Sequence, residues 1–215
     1  MSSLIIVESD NDKYFLLRLM NELGIEADIN PPICDSTDFK CLSGLGNLDQ
    51  AINEIRWDEY DKIGIMVDAD SVGIEQRLQL VQESLVRCGV KNPPEAANQL
   101  SACAEKNVEI AICVLNVNGV GELETLLKEI KSENSIHADC LEAWKECLNN
   151  EGIKISQKEF DKFWISQYLR YDTCTSEERK QAGRKCNYES GINKDIWNLA
   201  DSRVDHLRGF LNLLS

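Results

Sequence analysis

Ile63-Gly64-Ile65-Met66-Val67-Asp68-Ala69-Asp70 is the stretch on which the fold turns. An uncharged, β-prone run is followed at once by two carboxylates at alternate positions. A run that short and continuous fits a strand covered on both faces, the setting of a central strand in a parallel sheet. Outward from it the same pattern repeats. Leu4-Ile5-Ile6-Val7 closes on Glu8, and Val108 to Leu115 runs into Asn116-Val117-Asn118-Gly119-Val120-Gly121, with Glu122 and Glu124 just beyond.

The intervening segments read as helices. Phe15, Leu16, Leu19, Met20 and Leu23 recur at helical spacing behind a cap at Asp10 or Asn11, and Gly24 is the stop. Asn47 to Trp57 and Ile74 to Arg87 are the next two, the second closed by Gly89. Ile25 to Ile33 reads as an extended segment interrupted by Pro31 and Pro32. Strands separated by helices predict an α/β fold, a mainly parallel sheet with helices on both faces. Beyond residue 131 the pattern changes. Ile136 to Leu148, Gln157 to Tyr171, Ser176 to Gln181 and Asp195 to Leu214 are all helical in spacing or composition, and most of the aromatic residues gather there. Residues 1–130 are therefore expected to form the α/β domain, and residues 131–215 an all-helical C-terminal extension packed on it.

Thirty-seven Asp and Glu against twenty-three Lys and Arg leave a net charge of −14 across 215 residues. Nucleic-acid binders gain affinity when lysines and arginines release counterions, so this composition excludes a sequence-blind DNA coat. The one dense basic patch is Arg179, Lys180, Arg184 and Lys185, which reads as a solvated face or a local contact for nucleic acid. MSSLIIVESDND has no basic leader region, and no apolar run is long enough for a membrane helix, so a cytoplasmic protein with no membrane contact is expected. Nine cysteines with no CxxC pair read as reduced, buried thiols. His137 and His206 lie too far in sequence from any acidic cluster to build a metal triad and read as surface or capping residues.

In a parallel sheet, ligands collect at the carboxyl ends of the strands. Acidic groups stand at three such ends: Glu8, the Asp68 and Asp70 pair, and Glu122 with Glu124. Carboxylates on a rigid edge suit a hard cation such as magnesium, which takes oxygen ligands and keeps several waters. Such an ion clamps a phosphate and activates a water. Acidic residues also simply cap helices in this position, and spacing alone does not separate the two readings.

LIIVESDNDKYFL followed by IGIMVDAD resembles the TOPRIM domain of topoisomerases, DnaG-type primases and OLD-family nucleases. Glu8 falls on that family's glutamate, Asp12 on the aspartate four residues later, and Asp68 and Asp70 on its aspartate pair. GVGELETLL, with Gly121 and Glu124, is similar to an element of the uncharacterised bacterial TOPRIM-like proteins related to the OLD nucleases, and DHLRGFLNLL looks like their C-terminal part. The resemblance implies a three-layer TOPRIM/Rossmann-like sheet and magnesium- or manganese-dependent, nuclease-like chemistry on phosphodiester bonds of DNA or RNA. It implies Glu8 as the catalytic proton-transfer residue and Asp68, Asp70, Asp12 and Glu124 as metal ligands, Asp12 as a secondary ligand or a helix-cap anchor. Two departures stand out. Ser9 replaces the glycine usual after the glutamate, and Asn116-Val117-Asn118 stands where relatives show Pro-Asp-Asn. No Walker-type phosphate loop is present, so an ATPase would be a separate partner. None of the tyrosines lies in a recognisable nucleophile context.

Two other readings stay open. Without an ATPase half and with this acidity, the chain reads also as a non-catalytic, partner-binding or regulatory TOPRIM relative. Asp68-Ala69-Asp70-Ser71-Val72 also fits the opening of haloacid-dehalogenase-like phosphatases, with Asp68 as nucleophile, Asp70 as general acid and Asp201 and Asp205 farther on. That reading leaves Glu8 without a role.

Overall fold

The structure, a computed structural model, describes residues 2–25, 37–42 and 45–215. The first half runs β1 (Ser3–Val7), α1 (Asp10–Glu22), β2 (Thr37–Cys41), α2 (Leu48–Asn53), β3 (Lys62–Asp68), α3 (Ile74–Arg87), β4 (Leu100–Cys103), β5 (Val108–Leu115) and α4 (Leu123–Ile130). Then come α5 (Ile136–Asn150), α6 (Gln157–Gln167), short helices α7 (Ser176–Arg179), α8 (Ala182–Lys185) and α9 (Tyr188–Ile192), and α10 (Asp205–Leu214). The fold is mixed α/β. Its five-stranded sheet has the order β2-β1-β3-β5-β4, with β4 antiparallel to β5 and the other neighbours parallel.

The three apolar runs occupy the centre of this sheet because their residues alternate between two cores. Leu4, Ile6, Ile63, Ile65, Val67, Ile110, Ile112 and Val114 face a cluster completed by α2 and α3. Ile5, Val7, Met66, Ala111, Cys113 and Leu115 face a second cluster shared by α1, α4, α6 and α10. This second core draws residues from both halves of the chain. Gly64 permits a close approach: a Cβ there would stand 2.5 Å from Leu214 Cδ1 and 2.7 Å from Phe210 Cζ, so α10 lies directly on β3.

Several local expectations change. Ser9, not Asp10 or Asn11, caps α1, and Gly24 ends it at φ +67° as expected. The helix expected over 47–57 shortens to α2 between two 3₁₀ turns, Leu45–Asn47 and Trp57–Glu59. The helix expected to reach Tyr171 becomes a π-helical stretch over Tyr168–Asp172, and the one expected from Asp195 starts only at Asp205. Upstream of it Trp197 forms an isolated bridge with Lys131, and Ile196 accepts a backbone bond from Ser132, which holds that segment extended. Pro31, Pro32 and most of the extended segment expected over 25–33 lie outside the described residues.

The cysteines are not uniformly reduced, buried thiols. Cys103 and Cys113 are buried, but Cys140 and Cys147 are exposed, and Cys174 and Cys186 form a disulfide between the segments flanking α7 and α8. Most C-terminal aromatics are core, including Phe160, Trp164, Tyr168 and Phe210, whereas Trp144 and Phe163 pair on the surface at 5.3 Å. Among the described residues, no helix is long and apolar enough to cross a membrane.

Candidate metal centre

β1, β3 and β5 are parallel and adjacent, so their carboxyl ends open on the same edge. The chain leaves β1 toward β2 on one side, while β3 and β5 lie on the other. That change of direction between β1 and β3 is a topological switch point, where an open sheet leaves a crevice. Glu8 follows β1 and Asp68 ends β3, so both stand in it.

Each carboxylate is set by its local turn. Ser9 is extended at φ −143°, a conformation any residue adopts, so the glycine usual at this position is not needed for the turn. Ser9 and Asp12 form a reciprocal capping box: the Ser9 N–H and Oγ–H donate to Asp12 Oδ2 at 2.8 and 2.7 Å. That box holds Asp12 buried, close enough for its charge to act on Asp68. The Asp68 N–H points at Glu8 Oε2 across a long 3.4 Å, which brings Glu8 to the aspartate pair.

Asp70 has φ +47°, in the left-handed region that aspartate tolerates. It is held there by Gly121. The Asp70 N–H donates to the Gly121 carbonyl at 2.8 Å and the Gly121 N–H to the Asp70 carbonyl at 2.7 Å. The loop after β5 reaches that position through a tight reversal in which Asn118 and Gly119 take the two positive-φ places, the dipeptide chemistry of a two-residue turn. Glu122 is thereby placed 2% exposed, and Glu124 is buried in the first turn of α4.

Asp68, Asp70 and Glu122 each offer a carboxylate oxygen, and the three oxygens lie within 4.8 Å of one another. Glu122 was legible in the sequence as part of the acidic cluster, but the resemblance points to Glu124. The structure instead brings Glu122 to the aspartate pair, while Glu124 Oε1 accepts a 3.0 Å bond from the Tyr188 hydroxyl on α9. Neither Tyr188 nor Lys158 was expected here. Lys158 Nζ, from α6, lies 2.7 Å from Asp70 Oδ1 and 2.9 Å from Glu122 Oε2, and Arg77 pairs with the other Asp70 oxygen. Asp161 supports this edge from α6 by accepting a 3.0 Å bond from Thr125 Oγ1, which itself faces the Glu122 N–H at 3.4 Å.

The electrostatics are those of crowded, buried carboxylates. Burial, then the charges of Asp12, Glu8, Glu124 and Glu122, push the Asp68 carboxyl well above the usual carboxylate range. Asp12 is pushed up to about 7, by burial first and by Glu8 and Glu124, against the lowering bonds from Ser9. Burial raises Glu122 too, and Lys158 opposes it. Glu122 Oε1 is buried with no hydrogen-bond partner among the described residues. Such a set suits a divalent cation: all-oxygen donors, excess negative charge and an unsatisfied buried acceptor.

Other expected residues lie elsewhere. Asp201 caps a 3₁₀ turn and pairs with Arg203, and Asp205 pairs with Arg208. In the basic patch Lys180 pairs with Glu177, and Arg179 binds the Cys174 carbonyl. His137 Nδ1 lies 2.8 Å from Asp172 Oδ1, and His206 is half-buried rather than on the surface.

A family model described as "Protein of unknown function (DUF3226)" matches residues 2–215. The chain belongs to the DUF3226 family. No curated protein matches this DUF3226 chain. Among solved structures it is similar to the C-terminal region of the Xanthomonas campestris pv. campestris OLD protein, at 13% identity over 99% of this chain and 93% of that one, with a TM-score of 0.43. The C-terminal region of the Burkholderia pseudomallei OLD protein aligns at 12% identity over 99% and 98%, with a TM-score of 0.42. A hypothetical protein from Pyrococcus horikoshii OT3 aligns at 16% identity over 100% and 95%, with a TM-score of 0.44.

Proposed function

We propose that the chain is a TOPRIM-like, divalent-metal-dependent protein acting on phosphodiester bonds of nucleic acid. The observation that carries this reading is the meeting of Asp68, Asp70 and Glu122 oxygens within 4.8 Å at a sheet switch point, with Glu122 Oε1 buried and unpartnered. On this reading the sheet and its two helical faces are the three layers of a TOPRIM domain over residues 1–130, and residues 131–215 are a helical extension that completes its site.

Asp68 would be the central metal ligand, with Glu122 Oε1, Glu124 and Asp12 around it, and Asp70, held by Lys158 and Arg77, at the edge of the site. Bound magnesium or manganese would supply charge neutralisation at a phosphate and a more acidic water. Glu8, beside Asp68 at the mouth of the crevice, moves the proton. Because net charge is −14, nucleic acid approaches through metal and a local basic face such as Arg184 and Lys185, or through a partner such as a separate ATPase.

The test is cleavage of single- and double-stranded DNA and RNA with magnesium or manganese, comparing wild type with Asp68→Ala. Metal-dependent cleavage lost in the variant supports the reading. Metal binding without cleavage of any polymer supports instead the partner-binding role that the overall acidity favours.

A further inference from the structure

The acidic site is divided by its own cations. Asp70 and Glu122 are neutralised from within the chain: Lys158 Nζ lies 2.7 Å from Asp70 Oδ1 and 2.9 Å from Glu122 Oε2, and Arg77 holds the other Asp70 oxygen. Glu8, Asp12, Asp68 and Glu124 have no lysine or arginine ion pair among the described residues. A magnesium or manganese ion bound to Asp70 Oδ1 and Glu122 Oε2 would stand about 2.1 Å from each, in the space the ammonium occupies. The two are mutually exclusive on those oxygens.

The position of Lys158 on its helix supports the same division. It is the second residue of α6, Gln157–Gln167, where the helix dipole disfavours a cation. α6 gains nothing from a lysine there, whereas Asp70 and Glu122 do. Its side chain is 43% exposed, so the ammonium is delivered from outside the core to the rim of the basin. Two-metal sites hold their ions about 3.5–4 Å apart, bridged by shared carboxylates. Asp68, the carboxylate that would be shared, has an oxygen within 4.8 Å of an oxygen of each of the two carboxylates that Lys158 holds.

We infer that Lys158 takes the place of a second divalent ion, so that the site holds one divalent cation, on the Asp68 side, next to a tethered ammonium. This rests on the metal-site reading above. The chain is then a one-ion protein whose second positive charge is covalent, permanent and carried by the C-terminal helices.

The test counts ions. Chelator-treated full-length protein is titrated with Mn2+ near neutral pH, with free Mn2+ followed by electron paramagnetic resonance and heat by calorimetry. The wild type and Lys158→Arg should each bind one Mn2+ per chain, and Lys158→Met should bind two. Lys158→Gln, a polar replacement at the same half-exposed site, should also bind two, and circular dichroism checks that each variant is folded. Two ions in the wild type, or one in both neutral variants, overturns the inference and leaves the metal-site reading standing. No ion in the wild type overturns both.

Discussion

Asp70 and Gly121 exchange both of their backbone hydrogen bonds, at 2.8 and 2.7 Å, and so tie the loop after β3 to the loop after β5. Neither residue has an ordinary backbone: Asp70 lies at φ +47° and Gly121 at φ +93°. The pair fixes the spacing between Asp68, at the end of β3, and Glu122, the cap of α4, which lie 54 residues apart in sequence.

Gly121→Ala therefore strikes the site rather than the core. A Cβ at Gly121 would meet the Thr125 side chain at 3.0–3.1 Å and would sit at a φ that alanine avoids. The expected cost is about 1–3 kcal/mol in thermal or denaturant unfolding. Metal affinity should fall further than stability does, because the displaced residue precedes Glu122. Unchanged Mn2+ affinity in a destabilised variant would show that this loop does not shape the site.

Stability without metal should depend on pH in an unusual direction. Asp12 is pushed from 3.8 to about 7 by burial and by Glu8 and Glu124, and Asp68 moves the same way. A folded-state value above the unfolded one gives stability that is complete below about pH 4 and lost as pH rises through about 7. Chelator-treated protein should melt about 4–8 °C lower at pH 8 than at pH 5, for a loss of about 2 kcal/mol. Mg2+ at pH 8 should restore most of the difference, since it binds the folded carboxylates. Differential scanning calorimetry with and without chelator reads both effects.

Gly64→Val tests the packing that brings the C-terminal helix onto the sheet. The added side chain meets Leu214 and Phe210, and relief requires α10 to lift from β3. Overpacking of this kind costs about 1–3 kcal/mol. The expected result is a lower melting temperature with Mn2+ affinity nearly unchanged, because Gly64 lies well down β3 from Asp68.

How much of this was legible in the sequence follows from burial. β1, β3 and β5 were legible because a strand covered on both faces must be apolar throughout. β2, Thr-Asp-Phe-Lys-Cys, and β4, Leu-Ser-Ala-Cys, are edge strands with polar residues, and nothing in their pattern separates them from loops. Glu8, Asp68 and Asp70 were legible as carboxylates at strand ends. The choice between Glu122 and Glu124 was not, because it depends on the Asn118-Gly119 reversal and on Gly121 bonding to Asp70. Lys158 was beyond reach: it lies 88 residues from Asp70, in a helix whose periodicity reports only its apolar face. The disulfide joins cysteines 12 residues apart with no motif to mark them.

A divalent cation held around Asp68 is the core of the proposed chemistry, and calorimetric titration of chelator-treated wild type and Asp68→Asn with Mn2+ tests for it most directly. The wild type should bind Mn2+, and Asp68→Asn should bind it more than about 100-fold more weakly. The metal-free variant should also melt above metal-free wild type, since one crowded, buried charge is gone. Wild type that takes up no Mn2+ at millimolar concentration, or Asp68→Asn that binds as tightly as wild type, would contradict the account.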